Sequence, residues 1–342
     1  MAEKRSPSAA LPPGFTARPV TAASAAIVTD LLNDYVERII GLRKVTEDEL
    51  RYVLGLPEFD AAGSTRLVLS PEGRPAGWGV VMDLASPPVH PNVIGCVHPD
   101  FERQGLGTFL VSWAVERSRQ AVARVPDGAR VSAYFTLLSR HEPTVRLFEK
   151  FAMQVVRHSW LMAIGLEQET PPPSWPEGIV LRTFPERPDV RAVLRAVRDS
   201  FQDHWGYVER PEDEGVQRME HMIATDKTFV PELWFLAMEG EEIAGIALCR
   251  DQMGEDPSTA VVETLGVRRP WRRRGLGLAL LYHAFAEFRR RGKKQVGLGV
   301  DAGSLTGATR LYLKAGMHVA QQSSLYEVEL RPGQELGKQT LE

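Results

Sequence analysis

The sequence predicts an α/β protein (an α+β mixed sheet) made of two tandem copies of one domain. Three observations predict it. A strand, a glycine-bearing loop and a helix occur in that order twice, at Val93-Ile-Gly-Cys-Val-His-Pro-Asp-Phe-Glu-Arg-Gln-Gly-Leu-Gly107 and at Glu263-Thr-Leu-Gly-Val-Arg-Arg-Pro-Trp-Arg-Arg-Arg-Gly-Leu-Gly277. Further matches flank both copies in the same order. Gly73-Arg-Pro-Ala-Gly77 pairs with Gly240-Glu-Glu-Ile-Ala-Gly245, and Leu147-Phe-Glu-Lys-Phe-Ala-Met153 with Leu311-Tyr-Leu-Lys-Ala-Gly-Met317. A period far above the roughly 20–50 residues of a solenoid means duplicated domains. Lastly, Thr170-Pro-Pro-Pro173 breaks the pattern between the copies. Consecutive prolines neither continue a helix nor pair in a central strand, so they predict a stiff linker.

The divisions that follow are an arm at 1–14, a first domain at 15–166, a proline-rich linker at 167–178, a second domain at 179–332 and a tail at 333–342. The arm holds early charge and three prolines without the apolar stretch of a secretory signal, and is expected to be disordered. In the second copy, Val180–Thr183 reads as a strand. Asp189–Phe201 reads as a helix with Val190, Val193, Leu194 and Val197 at helical spacing. Strands are expected at 233–238, 243–250 and 260–267. A helix after Gly275 carries Leu276, Leu280, Leu281, Ala284, Phe285 and Phe288 on one face and stops at Gly292. A strand at 296–300, a helix at 306–315 and a strand at 323–330 complete the order β-α-β-β-β-α-β-α-β.

Composition restricts the function. The 342 residues are 43% hydrophobic and 25% charged with a formal net charge of −3, ordinary for a soluble globular chain. Nothing overall demands nucleic acid or a membrane. The two cysteines, Cys96 and Cys249, each lie in an apolar strand, which implies buried thiols and no metal site. No apolar run is long enough to span a bilayer, and a cytoplasmic location is expected.

The chemistry-bearing element is Arg272-Arg-Arg-Gly-Leu-Gly277 between a strand and a helix. Glycines let successive N–H groups turn inward as a nest. The next helix adds unpaired donors and the positive end of its dipole. A pyrophosphate suits such a cradle. The alternative for one short glycine motif is a tight turn; its context and its repetition favour the cradle. Neither copy has the Gly-x-Gly-x-x-Gly run after a first strand, nor Gly-Lys-Ser/Thr.

This pattern resembles the GNAT superfamily of N-acetyltransferases, whose loop reads Gln/Arg-x-x-Gly-x-Gly/Ala. Arg272, Gly275 and Gly277 fill those positions, and Asp301-Ala-Gly-Ser-Leu-Thr-Gly-Ala308 with Leu311, Tyr312, Gly316 and Met317 is similar to the family's C-terminal motif. The likeness covers nearly the whole chain as two tandem domains, a layout similar to that of mycothiol synthases. It implies, in each domain, a mostly antiparallel central sheet flanked by helices. It also implies acetyl-CoA as donor. The cofactor would lie on Leu265, Gly266 and Val267, on the loop Arg272, Arg273, Arg274, Gly275, Leu276, Gly277 and Leu278, and on Ser304, which stands where the family commonly has Asn. The resemblance makes Tyr312 the general acid toward the CoA sulfur; the alternative is a tyrosine packed on its helix.

Transfer to an amine also needs a proton acceptor. Glu263 is a carboxylate on an otherwise apolar strand. Either it takes the amine proton, directly or through water, or it is an edge charge with an ion-pair partner. Asp203 and His204 are rival bases, and with Trp205 and Tyr207 they border the expected acceptor site or form a packed loop. In the first copy, Val93 stands for Glu263, Phe148 for Tyr312, Ala152 for Gly316, and Glu102, unhelpful beside a pyrophosphate, for Arg272. That copy is expected to be degenerate, with His98 and His141 structural, and catalysis to lie in the second. The expected acceptor is a small amine or a peptide N-terminus, and the chain a monomer (pseudo-dimer) or a homodimer. A non-catalytic acyl-CoA sensor or scaffold is the alternative class, and the arginines at 268–274 leave RNA modification as a weaker third.

Overall fold

We describe the protein from a computed structural model, which covers residues 10–40, 45–56, 58–138, 141–209, 211–304 and 306–338. The chain divides into two compact units, but not at the linker. One contains residues 1–158 and 323–336, the other 159–322 and 337–342.

In the first unit, β1 (Thr16–Arg18), α1 (Ala25–Ile40), α2 (Glu47–Leu54) and α3 (Ala61–Ser64) precede β2 (Thr65–Leu69), β3 (Pro75–Met82) and β4 (Asn92–Val97). Then come α4 (Leu106–Arg119), β5 (Val131–Leu138) and α5 (Glu142–Lys150). The strand β6 (Gln154–Gly165) crosses at Ser159 into the second unit. There follow β7 (Ile179–Thr183), α6 (Val190–Phe201), α7 (Glu212–Thr225), β8 (Trp234–Glu239), β9 (Glu242–Arg250) and β10 (Thr259–Val267). Next are α8 (Leu276–Arg290), β11 (Gln295–Asp301) and α9 (Ala308–Lys314), and β12 (His318–Arg331) crosses back at Ser323.

The strand order is β1-β2-β3-β4-β5-β12 in the first unit and β6-β11-β10-β9-β8-β7 in the second. Each copy therefore lends its last strand to the other: Ser323–Glu329 pairs antiparallel with Leu138–Ser132, and Ser159–Gly165 with Asp301–Gln295. Domain limits at 15–166 and 179–332 are corrected accordingly. The linker is corrected too. It runs within the second unit, from β6 at one end of the strand order to β7 at the other. Five inter-strand gaps of about 4.8 Å make roughly 24 Å. A dozen extended residues at about 3.1 Å each cover that span. Trp175 packs on the second core on the way, its ring 6.0 Å from that of His283 on α8.

Each unit holds one parallel pair, β4·β5 and β10·β11, among antiparallel neighbours. Asp189 caps α6 by accepting from the Ala192 N–H at 2.9 Å. The α8 helix ends as expected: Gly292 has φ +78, and the Lys293 N–H reaches the Phe288 carbonyl at 3.0 Å. The helix α7 lies outside the expected order. Its signal is faint, because Gly215 interrupts it and Val216 is its one buried residue. Of the expected arm, residues 1–9 lie outside the described residues, while Leu11 packs on a first-unit cluster. Of the expected tail, 339–342 lie outside them. Gln334 is tied down by the Arg130 N–H to its carbonyl and by its own N–H to the Gly128 carbonyl, both at 2.7 Å. Cys96 and Cys249 are buried free thiols.

Candidate active site

The second unit opens where its parallel pair ends. β10 pairs with β11 only through Thr259–Val261 opposite Gln295–Gly297. Beyond that, β10 stays with β9 to Val267, opposite Gly245, while β11 stays with β6 to Asp301, opposite Ser159. The two strands splay, and a cleft of about 670 Å³ fills the gap. Glu263 sits at a β-bulge, where the register with β9 shifts between Val262 and Thr264. Bulges re-aim side chains next to functional sites. Here the extra residue is the carboxylate that lines the cleft.

The loop after β10 is held in a nest-like form. Arg273 has φ +63 and Gly275 has φ +87. A Cβ at Gly275 would meet nothing within 4 Å, so its backbone conformation, not crowding, requires glycine there. No side chain caps the start of α8 among the described residues, and Gly275, Leu276, Gly277 and Leu278 at that end line the cleft. Gly277 acts differently: its missing Cβ lets Leu311 on α9 approach, the Cδ2 at 3.0 Å from where that Cβ would lie. Arg310 and Lys314, exposed on α9, line the same cleft. Sequence reasoning missed both. The signal was their i, i+4 spacing around Tyr312.

Of the expected cofactor residues, Leu265, Gly266, Val267, Arg272, Arg273, Gly275, Leu276, Gly277, Leu278 and Ser304 line the cleft. Arg274 does not: it donates to Glu239 and to the Glu177 carbonyl, each at 3.0 Å. Arg272 borders the cleft, but its donors are engaged inward. Nε reaches the Val267 carbonyl at 3.0 Å, Nη1 the Asp203 carboxylate at 2.5 Å and Nη2 the Ser200 carbonyl at 3.1 Å. It fastens the loop to α6. The Ser304 hydroxyl accepts the Ala308 N–H at 3.3 Å and so helps start α9.

Tyr312 on α9 is 7% exposed and lines the cleft, as do the buried Leu298 and the exposed Glu263. Burial pushes its hydroxyl up to about 12, so it holds its proton at neutral pH. Glu263 accepts from Arg250 Nε at 2.5 Å, and Arg250 also binds Asp226 and Thr228. Glu263 therefore has the ion-pair partner expected of an edge charge, and it also lines the cleft.

His204, Trp205, Phe201 and Ser200 form the wall at the end of α6. Burial, then the Arg272 charge, hold His204 below the ordinary histidine range, so its ring is neutral at pH 7. Asp203 is not an acceptor-site base. Its side chain is 4% exposed and clamped by Arg269 and Arg272, whose bonds hold the carboxyl well below the usual range against the effect of burial. Tyr207 lies outside the cleft lining, its carbonyl accepting the Lys338 N–H at 3.1 Å.

The first unit repeats the geometry. β4 meets β5 only at Asn92–Tyr134 and Val93–Phe135, and Arg103 (φ +62) and Gly105 (φ +86) copy the loop. A cleft of about 510 Å³ lies there, with Val93 and Phe148 in place of the carboxylate and the tyrosine.

Among the described residues no helix is long and apolar enough to cross a membrane, and no cluster of metal-ligating side chains is present. A family model described as Acetyltransferase (GNAT) family matches residues 194–317. The chain is 30% identical over 281 residues to a mycothiol acetyltransferase of Thermobispora bispora, covering 81% of this chain and 86% of that one. It is 27% identical over 327 residues to the mycothiol acetyltransferase of Catenulispora acidiphila, covering 92% and 98%. Among solved structures, a GCN5-related N-acetyltransferase from Sphaerobacter thermophilus superposes with a TM-score of 0.77 at 35% identity, over 96% of this chain and 99% of that one. A tandem GNAT protein from the clavulanic acid biosynthesis pathway shares the fold, with a TM-score of 0.68 at 15% identity over 93% and 99%. With its duplicated splayed sheet and these relatives, the chain belongs to the GNAT family of acetyltransferases as a tandem member.

Proposed function

We propose that the second unit transfers an acetyl group from acetyl-CoA to the primary amine of a small molecule. The observation that carries this reading is the convergence, in one splayed cleft, of the Arg273–Leu278 cradle with Glu263 and Tyr312. The donor set fits CoA. The loop and the α8 N terminus offer backbone N–H groups to a pyrophosphate, and Arg273, Arg310 and Lys314 add positive charge around it. The backbone of Leu265–Val267, freed from β11, offers edge groups to an extended pantetheine.

Bound acetyl-CoA supplies a thioester carbon open to an amine nucleophile. The chain supplies the rest. A β10 backbone N–H polarises the carbonyl, a kind of contact whose loss typically costs about 3–4 kcal/mol. Glu263 takes the proton that the amine must lose. Tyr312, protonated at neutral pH, donates to the departing sulfur. The first unit keeps the cleft without these two groups and does not catalyse transfer. Glu102 costs that unit no phosphate contact, because its counterpart Arg272 makes its bonds to Asp203, Val267 and Ser200. The relatives' name makes deacetylated mycothiol the first acceptor to try.

Native mass spectrometry with acetyl-CoA, on the unaltered chain and on Gly277→Glu, tests the reading. An equivalent lost in the variant is expected. A chain that binds no acetyl-CoA overturns it.

A further inference from the structure

The two clefts differ at their deep ends. In the second unit, the α8 face (Leu276, Leu280, Leu281, Ala284) belongs to one continuous apolar cluster with Ala247, Val262, Leu298 and Tyr312. In the first unit, the matching helix is divided. Leu106 and Leu110 pack with Val68, Ala76 and Phe101, whereas Val111 and Ala114 pack with Val93, Phe135 and Phe148. The first cleft runs between these clusters. Gly79, Leu110, Val111 and Ala114 line it, while their counterparts Ala247, Leu280, Leu281 and Ala284 do not line the second.

Interiors are close-packed, and a gap lined largely by apolar side chains, here with Tyr35 and Thr136 also among its walls, forgoes dispersion contacts unless an apolar group enters it. The polar groups that face the thioester position in the second unit are replaced here by Val93 and Phe148. At the mouth, the Arg103–Gly105 turn repeats the anion cradle; Glu102 lines the cleft there, and Arg103, Arg146 and Lys150 line it too and outweigh that one carboxylate, the last two as Arg310 and Lys314 do in the second unit. Cys96 also borders the cleft, but burial pushes its thiol up to about 12, so it remains protonated and leaves a thioester intact.

We propose that the first unit holds a CoA thioester whose acyl chain is longer than acetyl, with the chain running between Val93, Val111 and Ala114 and with no turnover. This rests on the reading of the clefts as CoA sites.

Titration of octanoyl-CoA and acetyl-CoA into Gly277→Glu, whose second cleft is closed to the cofactor, tests it. Each methylene moved from water to an apolar site favours binding by a factor of roughly four. With ordering costs set against six of them, octanoyl-CoA is expected to bind with a Kd at least about tenfold lower than acetyl-CoA. Ala114→Leu, added to that variant, brings the two ligands level, and Val111→Leu, the second unit's own side chain, gives an intermediate value. In the chain carrying Ala114→Leu alone, the equivalent of acetyl-CoA bound by the second cleft reports that the protein is folded. Should Gly277→Glu fail to fold, octanoyl-CoA is titrated into the unaltered chain with acetyl-CoA in excess, where one further equivalent is expected. Equal affinities, or an octanoyl preference that survives Ala114→Leu, overturn this inference and leave the second-unit reading standing. An unaltered chain that binds neither thioester removes both.

Discussion

Asp203 accepts from Arg272 Nη1 at 2.5 Å while the same guanidinium reaches the carbonyls of Val267 and Ser200. One buried carboxylate thus ties the cradle loop to β10 and α6. Asp203→Asn keeps the shape and removes the charge. Breaking a fully buried pair from one side typically costs about 3–5 kcal/mol, and here the cost is smaller, because Arg269 and Arg272 keep partial access to water. The variant should therefore melt lower and bind acetyl-CoA about tenfold or more weakly, the loop no longer being fixed. The pH sense follows from the lowered carboxyl. The pair's contribution is complete above about pH 4, the unfolded value, and is lost as pH falls toward the folded one. Denaturation at pH 7 and pH 3 checks it: the gap between parent and variant should shrink at pH 3.

Tyr312→Phe removes the proposed acid and keeps the packing of α9. Acetyl-CoA affinity should stay within about twofold, with kcat down by roughly 10²–10⁴. Because burial raises the hydroxyl to about 12, no falling limb from this group is expected below about pH 11. Steady-state kinetics of thiol release measures both. Unchanged turnover would remove Tyr312 from the mechanism.

Glu263→Gln separates the two roles of that bulge residue. As the proton acceptor its loss should lower kcat by roughly 10²–10⁴. As a partly exposed ion pair with Arg250 it should cost at most about 1 kcal/mol of stability. A large loss of turnover with a nearly unchanged melting temperature supports the base. A lower melting temperature with intact turnover assigns Glu263 a structural role.

His204 is neutral at pH 7 and faces the cleft. Protonation would place a cation beside Arg272 and opposite an ammonium acceptor, with Asp301 and Asp203 offsetting it in part. Acceptor KM should therefore rise as pH falls, with its midpoint below 6.5, the ordinary histidine value. His204→Gln should flatten that rise and leave acetyl-CoA binding unchanged. A rise that persists in the variant assigns the titration to another group.

The repeat, the glycine loop between strand and helix, and the presence of Tyr312 and Glu263 at one cleft were legible because each rests on a local pattern. A positive-φ glycine turn, a strand before it and a helix after it are specified by neighbours in sequence. The exchange of β6 and β12 was not legible. A last strand carries the same alternation whichever sheet receives it, and what decides is a pairing such as Tyr326 opposite Phe135, far apart in sequence. The duty of Arg272 was hidden for a similar reason. A family position names a residue type, while its engagement with Asp203 depends on where α6 ends. The proline-rich run was expected to join two domains; it lies within the second unit, since its neighbour β6 had already crossed.

The same limit applies to Lys338. In sequence it is a charge in a polar tail, yet its carbonyl accepts the Gly206 N–H at 2.7 Å and its N–H reaches the Tyr207 carbonyl at 3.1 Å. Its Nζ lies 3.9 Å from Asp203. The segment straps down the loop that carries His204 and Trp205. A chain ending at Leu336 should keep its fold and its affinity for acetyl-CoA, because the cradle is fixed independently by Arg272. Its acceptor KM should rise about tenfold, the loop having to be ordered on binding, with kcat changed less. Hydrogen exchange of the Gly206 amide should speed up in the same protein, since the bond that protects it is gone. Slow exchange in the shortened chain would show that the loop holds itself and that the strap contributes nothing.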